Sequence, residues 1–162
     1  MLPKFQTILY ATDLSEHSPQ VFHYAMSLAQ QYGGKIVIVH ALEPLSPFAK
    51  SMVDLYVSKE QTEKLHASAV ERVRDTVRRR LELFCNEELC TDPQGRDRVA
   101  DIRILEGRPA EVILEEAARL QPDLIVMGSH GHTAVGEILL GTTAHRVMQR
   151  ARVPVFLVRL RR

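Results

Sequence analysis

Short, nearly continuous apolar runs recur along the chain, and longer stretches with apolar residues three or four apart lie between them. The first rhythm belongs to strands covered on both faces, the second to helices with one buried stripe. The runs are Thr7–Ala11 (TILYA), Lys35–Leu42 (KIVIVHAL), 99–105 (VADIRIL), 124–127 (LIVM) and 153–160, which opens at Val153 and ends at Leu160 (VPVFLVRL). The first interval puts Val21, Ala25, Leu28, Ala29 and Tyr32 on one helical face. Ser18 is expected as its N-cap, Pro19 as its first residue and Gly33-Gly34 as its stop. The next interval reads as a loop over 43–49, which holds two prolines. A single long helix is then expected over 53–84, with Leu65, Ala69, Val73, Val77 and Leu81 four apart. Residues 86–97, with Pro93 and Gly95, read as a loop. Pro109 opens a helix to about Leu120, and residues 142–150 form the last one. Pro154 cannot donate to a ladder, which places the last strand at a sheet edge.

Strand–helix alternation to the end of the chain specifies an α/β fold with a parallel sheet. Right-handed crossovers make such a sheet doubly wound, with helices on both faces. The length of 162 residues suits a single domain spanning 1–162, and no composition break marks a linker. The net charge of +1 argues against a surface tuned to nucleic acid or to anionic membrane. Tryptophan is absent and aromatics are 6%, so a platform for stacking bases is poorly supplied. Cys85 and Cys90 are too few for a disulfide framework and read as ordinary thiols in a reducing compartment. The longest apolar run, 153–158, is far short of a membrane span, and the first residues lack a signal-peptide pattern. A soluble, cytoplasmic protein is expected. The basic run Arg78-Arg79-Arg80 on the long helix reads as a solvated face.

The segment from Gly128 to Thr143 carries the chemistry. Four of the eight glycines (Gly128, Gly131, Gly136 and Gly141) lie in it. It leaves the end of a predicted strand and enters the start of a predicted helix. Glycine lets backbone N–H groups turn toward an anion, and a helix N-terminus adds unpaired N–H groups with partial positive charge. Thr142 and Thr143 add hydroxyls. Neither G-x-x-x-x-G-K-[ST] nor G-x-G-x-x-G is present, so no Walker-type lysine is supplied. A phosphate loop and a glycine-rich structural turn both fit the residues. Asp13 follows the first strand in Ala11-Thr12-Asp13. It either caps the next turn or, if the strand order is 3-2-1-4-5, faces Gly128 across the point where the winding reverses.

The spacing Gly128-x2-Gly131-x9-Gly141-Thr142 resembles the G-2x-G-9x-G-[ST] signature of ATP-binding universal stress proteins. The first strand with Asp13, the Glu-Gly-Arg-Pro stretch at 106–109 and the closing Val-Pro-Val-Phe-Leu-Val strand are also similar to that family. The resemblance covers nearly the whole chain. It implies a five-stranded parallel sheet of order 3-2-1-4-5. It further implies a nucleotide site at Ala11, Thr12, Asp13, Ala41, Met127, Gly128, His130, Gly131, His132, Gly141, Thr142 and Thr143. Asp13 takes the nucleoside side, backbone near Ala41 meets adenine, and the glycine loop wraps the phosphates. The implied ligand is ATP, with Mg2+ carried in on its phosphates. A homodimer through the strand Val153 to Leu160 is implied too.

His132 stands where many relatives carry arginine, which predicts weaker and pH-dependent phosphate affinity. His130 and His132 form an H-x-H pair, but no third ligand has fixed spacing to them, so a transition-metal site is not indicated. His145 reads as a helical surface residue. The leading expectation is a nucleotide-dependent stress-response regulator read by a protein partner. Without a Walker lysine or an evident general base, at most slow ATPase activity is expected. A slow ATP hydrolase or phosphotransferase, and a nucleotide-free dimeric interaction module, are the alternatives.

Overall fold

The computed structural model describes residues 1–87, 94–130 and 140–160. Five parallel strands, β1 (Thr7–Ala11), β2 (Lys35–Leu42), β3 (Val99–Glu106), β4 (Leu124–Gly128) and β5 (Val155–Val158), form one sheet in the order β3-β2-β1-β4-β5. The order and the parallel pairing agree with the sequence reading. Successive residues of β2 feed opposite layers. Ile36 and Ile38 join α1 (Ser18–Tyr32), whereas Val37 and Val39 join α4 (Pro109–Leu120) and α5 (Thr142–Arg150). This two-sided burial is why the strand reads as a continuous apolar run.

β1 sits at the centre, and Ile8 and Leu9 are fully buried. Its neighbours are β2 on one side and β4 on the other, with Ala11 opposite Val39 and Tyr10 opposite Val126. The carboxyl ends of β1 and β4 therefore diverge at the reversal of winding, and a crevice opens there.

Several local expectations need correction. Ser18 does not cap α1. The cap position is His17, which makes no side-chain cap bond, and the Ser18 hydroxyl is drawn instead to Asp13. The long second helix is two helices, α2 (Pro47–Tyr56) and α3 (Lys59–Glu87). Pro47 opens α2 because Ser46 Oγ accepts the Ala49 N–H at 3.2 Å, so the proline-bearing stretch begins a helix within the expected loop. Val57 is extended (φ −131°) and Ser58 restarts the chain. Ser58 Oγ accepts from Gln61 N, while Gln61 Oε1 accepts from Ser58 N at 3.1 Å, a capping box written as S-x-x-Q.

α3 also runs into the expected loop, to Glu87. Its apolar stripe docks only in part: Val77 is buried, Val73 packs beside it, and Leu65 is exposed. Cys90 lies outside the described residues. β5 is shorter than expected. Pro154 precedes it and offers its carbonyl to Ile125 N at 3.0 Å, while beyond it Leu160 N–H goes to the Ser129 hydroxyl. No described helix is long and apolar enough to cross a membrane.

Candidate functional site

The β1–α1 turn supplies one wall of the crevice. Thr12 N–H continues the sheet by donating to Val39 O at 3.0 Å. Asp13 Oδ1 accepts from Ser15 N at 3.0 Å and from Ser18 Oγ at 3.3 Å. Thr12 Oγ1 donates to Ser18 Oγ and accepts from Leu14 N, both at 3.1 Å. The Asp13 carboxylate thus closes its own turn and is held at the crevice edge. The turn-capping and crevice-facing readings of Asp13 hold together.

Under this turn, Tyr10 donates its hydroxyl to Ser18 O at 2.9 Å. Burial pushes the phenol pKa well above its ordinary value, so the ring is neutral in the fold. A pKa raised on folding gives stability that is complete below about pH 10 and lost as pH rises toward the folded value. Tyr10→Phe is therefore expected to cost about 1 kcal/mol at neutral pH. It is also expected to raise the alkaline unfolding midpoint, read by circular dichroism above roughly pH 10. An unchanged alkaline midpoint would show that Tyr10 does not govern alkaline unfolding.

The second wall comes from β2. His40 Nδ1 lies 2.8 Å from Thr12 O. Since a carbonyl only accepts, this nitrogen carries the hydrogen, and Nε2 is left for other partners. Ala41 follows it at the rim.

The third wall is the end of β4 and the start of α5. Ser129 ties four points together. Its N–H donates to Val158 O and its carbonyl accepts from Gly141 N, each at 2.8 Å. Its hydroxyl accepts from Leu160 N at 3.2 Å and pairs with His130 Nδ1 at 2.8 Å. Gly141, extended at φ −69° and ψ 155°, leads into α5. The first intrahelical bond is His145 N–H to Gly141 O. The N–H groups of Thr142, Thr143 and Ala144 therefore precede the ladder, and among the described residues they form the kind of helix N-terminus that receives anions.

Together these walls enclose a cavity of about 590 Å³. Its lining includes Ala11, Thr12, Asp13, Ala41, Met127, Gly128, His130, Gly141, Thr142 and Thr143. Every expected site residue among those described lines it. Gly131 and His132 lie outside the described residues. Val39, Ile113, Met127 and Pro109 contribute apolar surface, while Asp13, Ser15, His40 and Ser129 contribute polar groups. That volume and mixture fit a small organic ligand. No lysine or arginine lines the cavity among the described residues. Positive character there comes from α5 and, when protonated, from histidine. A second cavity of about 410 Å³ adjoins at Glu43, Pro109, Thr142 and Thr143 and adds Arg108 and Arg146.

Among the described residues, no three His, Cys, Asp or Glu side chains gather as a metal cage. His145 is exposed on α5. Sequence reasoning assigned Ser18 to a helix cap and not to the cavity, and it did not single out Tyr10, His40 or Ser129. Ser129 was the most accessible of these, because it sits between Gly128 and His130 at a strand end.

Fold and site define a doubly wound α/β protein with a ligand-sized cavity at its topological switch point. The sequence pattern of the universal stress protein family matches residues 4–159, and the chain belongs to that family. A Thermus aquaticus relative, described as a universal stress protein in the QAH/OAS sulfhydrylase 3′ region, is 34% identical over 160 residues. The match covers 96% of this chain and 99% of the relative. Universal stress protein UspA from Lactobacillus plantarum superposes with a TM-score of 0.73 at 20% identity, over 98% of this chain and 100% of that one. A universal stress protein solved in complex with cAMP superposes at 0.55 with 19% identity, over 97% and 98% of the two chains. At these identities the two structures support the fold.

Proposed function

We propose that this chain is a cytoplasmic stress-response regulator that binds an adenine nucleotide in the switch-point cavity. The observation that carries the reading is the meeting of the Asp13 turn, the end of β2 and the α5 N-terminus around one 590 Å³ space. Base, ribose and phosphate each find matching chemistry there. Apolar surface from Val39, Ile113 and Met127 suits a base, and backbone near Ala41 reads its edge. The Asp13 carboxylate accepts ribose hydroxyls. The N–H groups and hydroxyls of Thr142 and Thr143 at the start of α5 receive phosphate oxygens. ATP is the proposed ligand, and with no cationic side chain among the described lining residues, Mg2+ would share its phosphate charge. The family relative solved with cAMP gives this ligand class a precedent.

Occupancy changes what a partner reads only if two states of the protein bind nucleotide unequally. We place the dimer contact at β5, whose outer edge has no strand neighbour among the described residues and which exposes Phe156.

The test is to denature freshly purified protein, identify any released nucleotide by mass, and then titrate ATP with Mg2+. Binding is expected in the wild type. Asp13→Asn is expected to bind roughly tenfold more weakly, the loss of a charged hydrogen-bond acceptor. In Gly128→Val, the added Cβ starts 3.2 Å from Leu160 Cδ1 and 3.4 Å from His130 O. That variant is expected to lose binding while still unfolding cooperatively. Wild-type protein that arrives empty and binds no added ATP would defeat this reading and leave a nucleotide-free interaction module.

A further inference from the structure

The run Arg78-Arg79-Arg80 is not a uniform solvated face. Val77, just before it, is 3% exposed and packs with Tyr10, Val21 and Phe22. It anchors α3 on the α1 side of the sheet. Arg78 and Arg79 turn back along α3. Arg78 Nη1 lies 3.9 Å from Asp75 Oδ1, and Arg79 Nε donates to Asp75 O at 3.4 Å. Arg80 turns the other way, and its Nη1 donates to the carbonyl of Leu14.

Leu14 is an unusual residue to hold. Its φ is +60°, a left-handed conformation in a residue with a bulky side chain. L-residues rarely keep that conformation unless the surroundings impose it. Here the Leu14 side chain packs against the core cluster of Tyr10, Val21 and Phe22, and three hydrogen bonds fix the backbone around it. Leu14 N–H donates to Thr12 Oγ1, Ser15 N–H donates to Asp13 Oδ1, and Arg80 takes the Leu14 carbonyl. The first two are local and form within the turn itself. The third comes from another element and is the one external hold among these bonds. The left-handed step directly follows Asp13, so it sets the path of the chain along the crevice wall.

We propose that Arg80 is a positioning residue for the nucleotide cavity. By holding the Leu14 carbonyl it keeps the left-handed turn, and with it the Asp13 carboxylate, in binding geometry. The inference rests on the nucleotide reading above and adds a coupling to it. If α3 supports the turn that nucleotide contacts, nucleotide must in turn support the docking of α3, because linkage is reciprocal. α3 would then report occupancy on the face opposite α4 and α5.

The test compares wild type, Arg80→Ala, Arg80→Lys and Arg79→Ala by calorimetric titration with ATP and Mg2+. NMR hydrogen exchange of the Ser15 amide is measured alongside, without nucleotide. Arg80→Ala is expected to weaken ATP binding about tenfold. Its Ser15 amide should exchange faster, with the cooperative unfolding transition retained. Arg80→Lys keeps a donor on a long stem and is expected to recover most of the affinity. Arg79→Ala removes the same charge one residue away and is expected to bind like wild type. In wild type, ATP should slow amide exchange around residues 77–80. Arg80→Ala with wild-type affinity and wild-type Ser15 exchange would overturn the proposal. Equal losses in Arg80→Ala and Arg79→Ala would also overturn it, assigning the effect to net charge. If wild type binds no ATP, the nucleotide reading fails by itself, and an unchanged Ser15 amide in Arg80→Ala then refutes the positioning role separately.

Discussion

Replacing Gly34 with alanine is expected to lower stability by about 3 kcal/mol, the upper range for forcing atoms into a packed interior. Gly34 is buried between the end of α1 and the start of β2. A Cβ there would stand 2.2 Å from Phe5 O and 3.0 Å from Gln6 O. Both are backbone atoms, and neither can swing aside as a side-chain tip does. Gln6 O is also the acceptor for Lys35 N–H at 2.8 Å, the bond that begins the β1–β2 pairing. Relief of the clash therefore requires the two central strands to part where their register is set, at Thr7 opposite Lys35. The same register places Ala11 opposite Val39 and so shapes the cavity. Gly33 is the control. It takes φ +67°, and a Cβ there meets nothing within 4 Å. Gly33→Ala is limited by backbone conformation alone and is expected to cost about 1 kcal/mol. Urea unfolding of the two variants separates the cases, and equal costs would refute the close-approach account.

Arg103→Ala is expected to cost about 3 kcal/mol, because it strips a buried carboxylate of its nearest cation. Glu116 on α4 is 2% exposed. Arg103 Nη1 on the edge strand β3 reaches its Oε2 at 2.5 Å, and Arg119 Nη1 reaches Oε1 at 2.8 Å. Arg119 is largely exposed, so its attraction is screened by water, while Arg103 is mostly covered. Arg103 also holds Asp101 at 2.9 Å, which keeps that carboxyl below its usual pKa. Removing Arg103 leaves Glu116 buried with only a screened partner. Replacing both residues by apolar ones, Arg103→Met with Glu116→Leu, removes the uncompensated charge and is expected to regain most of the loss. Chemical denaturation of the single and double variants checks this, and a double variant as unstable as the single one would refute it. The pair also matters to the cavity, because α4 contributes Pro109 and Ile113 to its apolar side.

The elements that read most clearly in the sequence are those with one dominant local cause. β1 and β2 are continuous apolar runs and start and stop at the expected residues. α4 and α5 begin at Pro109 and Thr142 and end at Leu120 and Arg150, as the punctuation of proline and glycine indicates. The misread elements are those where two local signals compete. Prolines at 44 and 47 mark a loop in one register and a helix start in another, and Ser46 decides for the helix. The stripe from Leu65 to Leu81 continues straight through α3, yet Leu65 has no layer to pack on and stays exposed.

Strand–helix alternation, the doubly wound class and part of the crevice lining, Asp13, Gly128 and Thr142 among it, are legible in the chain alone. Asp13 lies just beyond β1, Gly128 ends β4 and Thr142 opens α5, and because local patterning sets those ends, their placement at element termini is a local fact. What those residues touch was set by the folded arrangement. Asp13 owes its orientation to Ser18 within the same turn and to Leu14, which takes a left-handed conformation no leucine signals in sequence. Arg80 looks like its two neighbours along the chain, and only the docking of Val77 brings its guanidinium to the Leu14 carbonyl. Glu116 looks like any polar helix residue until β3 brings Arg103 against it. Local patterning sets where elements begin and end, because caps, turns and periodicity act within a few residues. Packing sets what each side chain faces, because those contacts join segments that come together only in the fold.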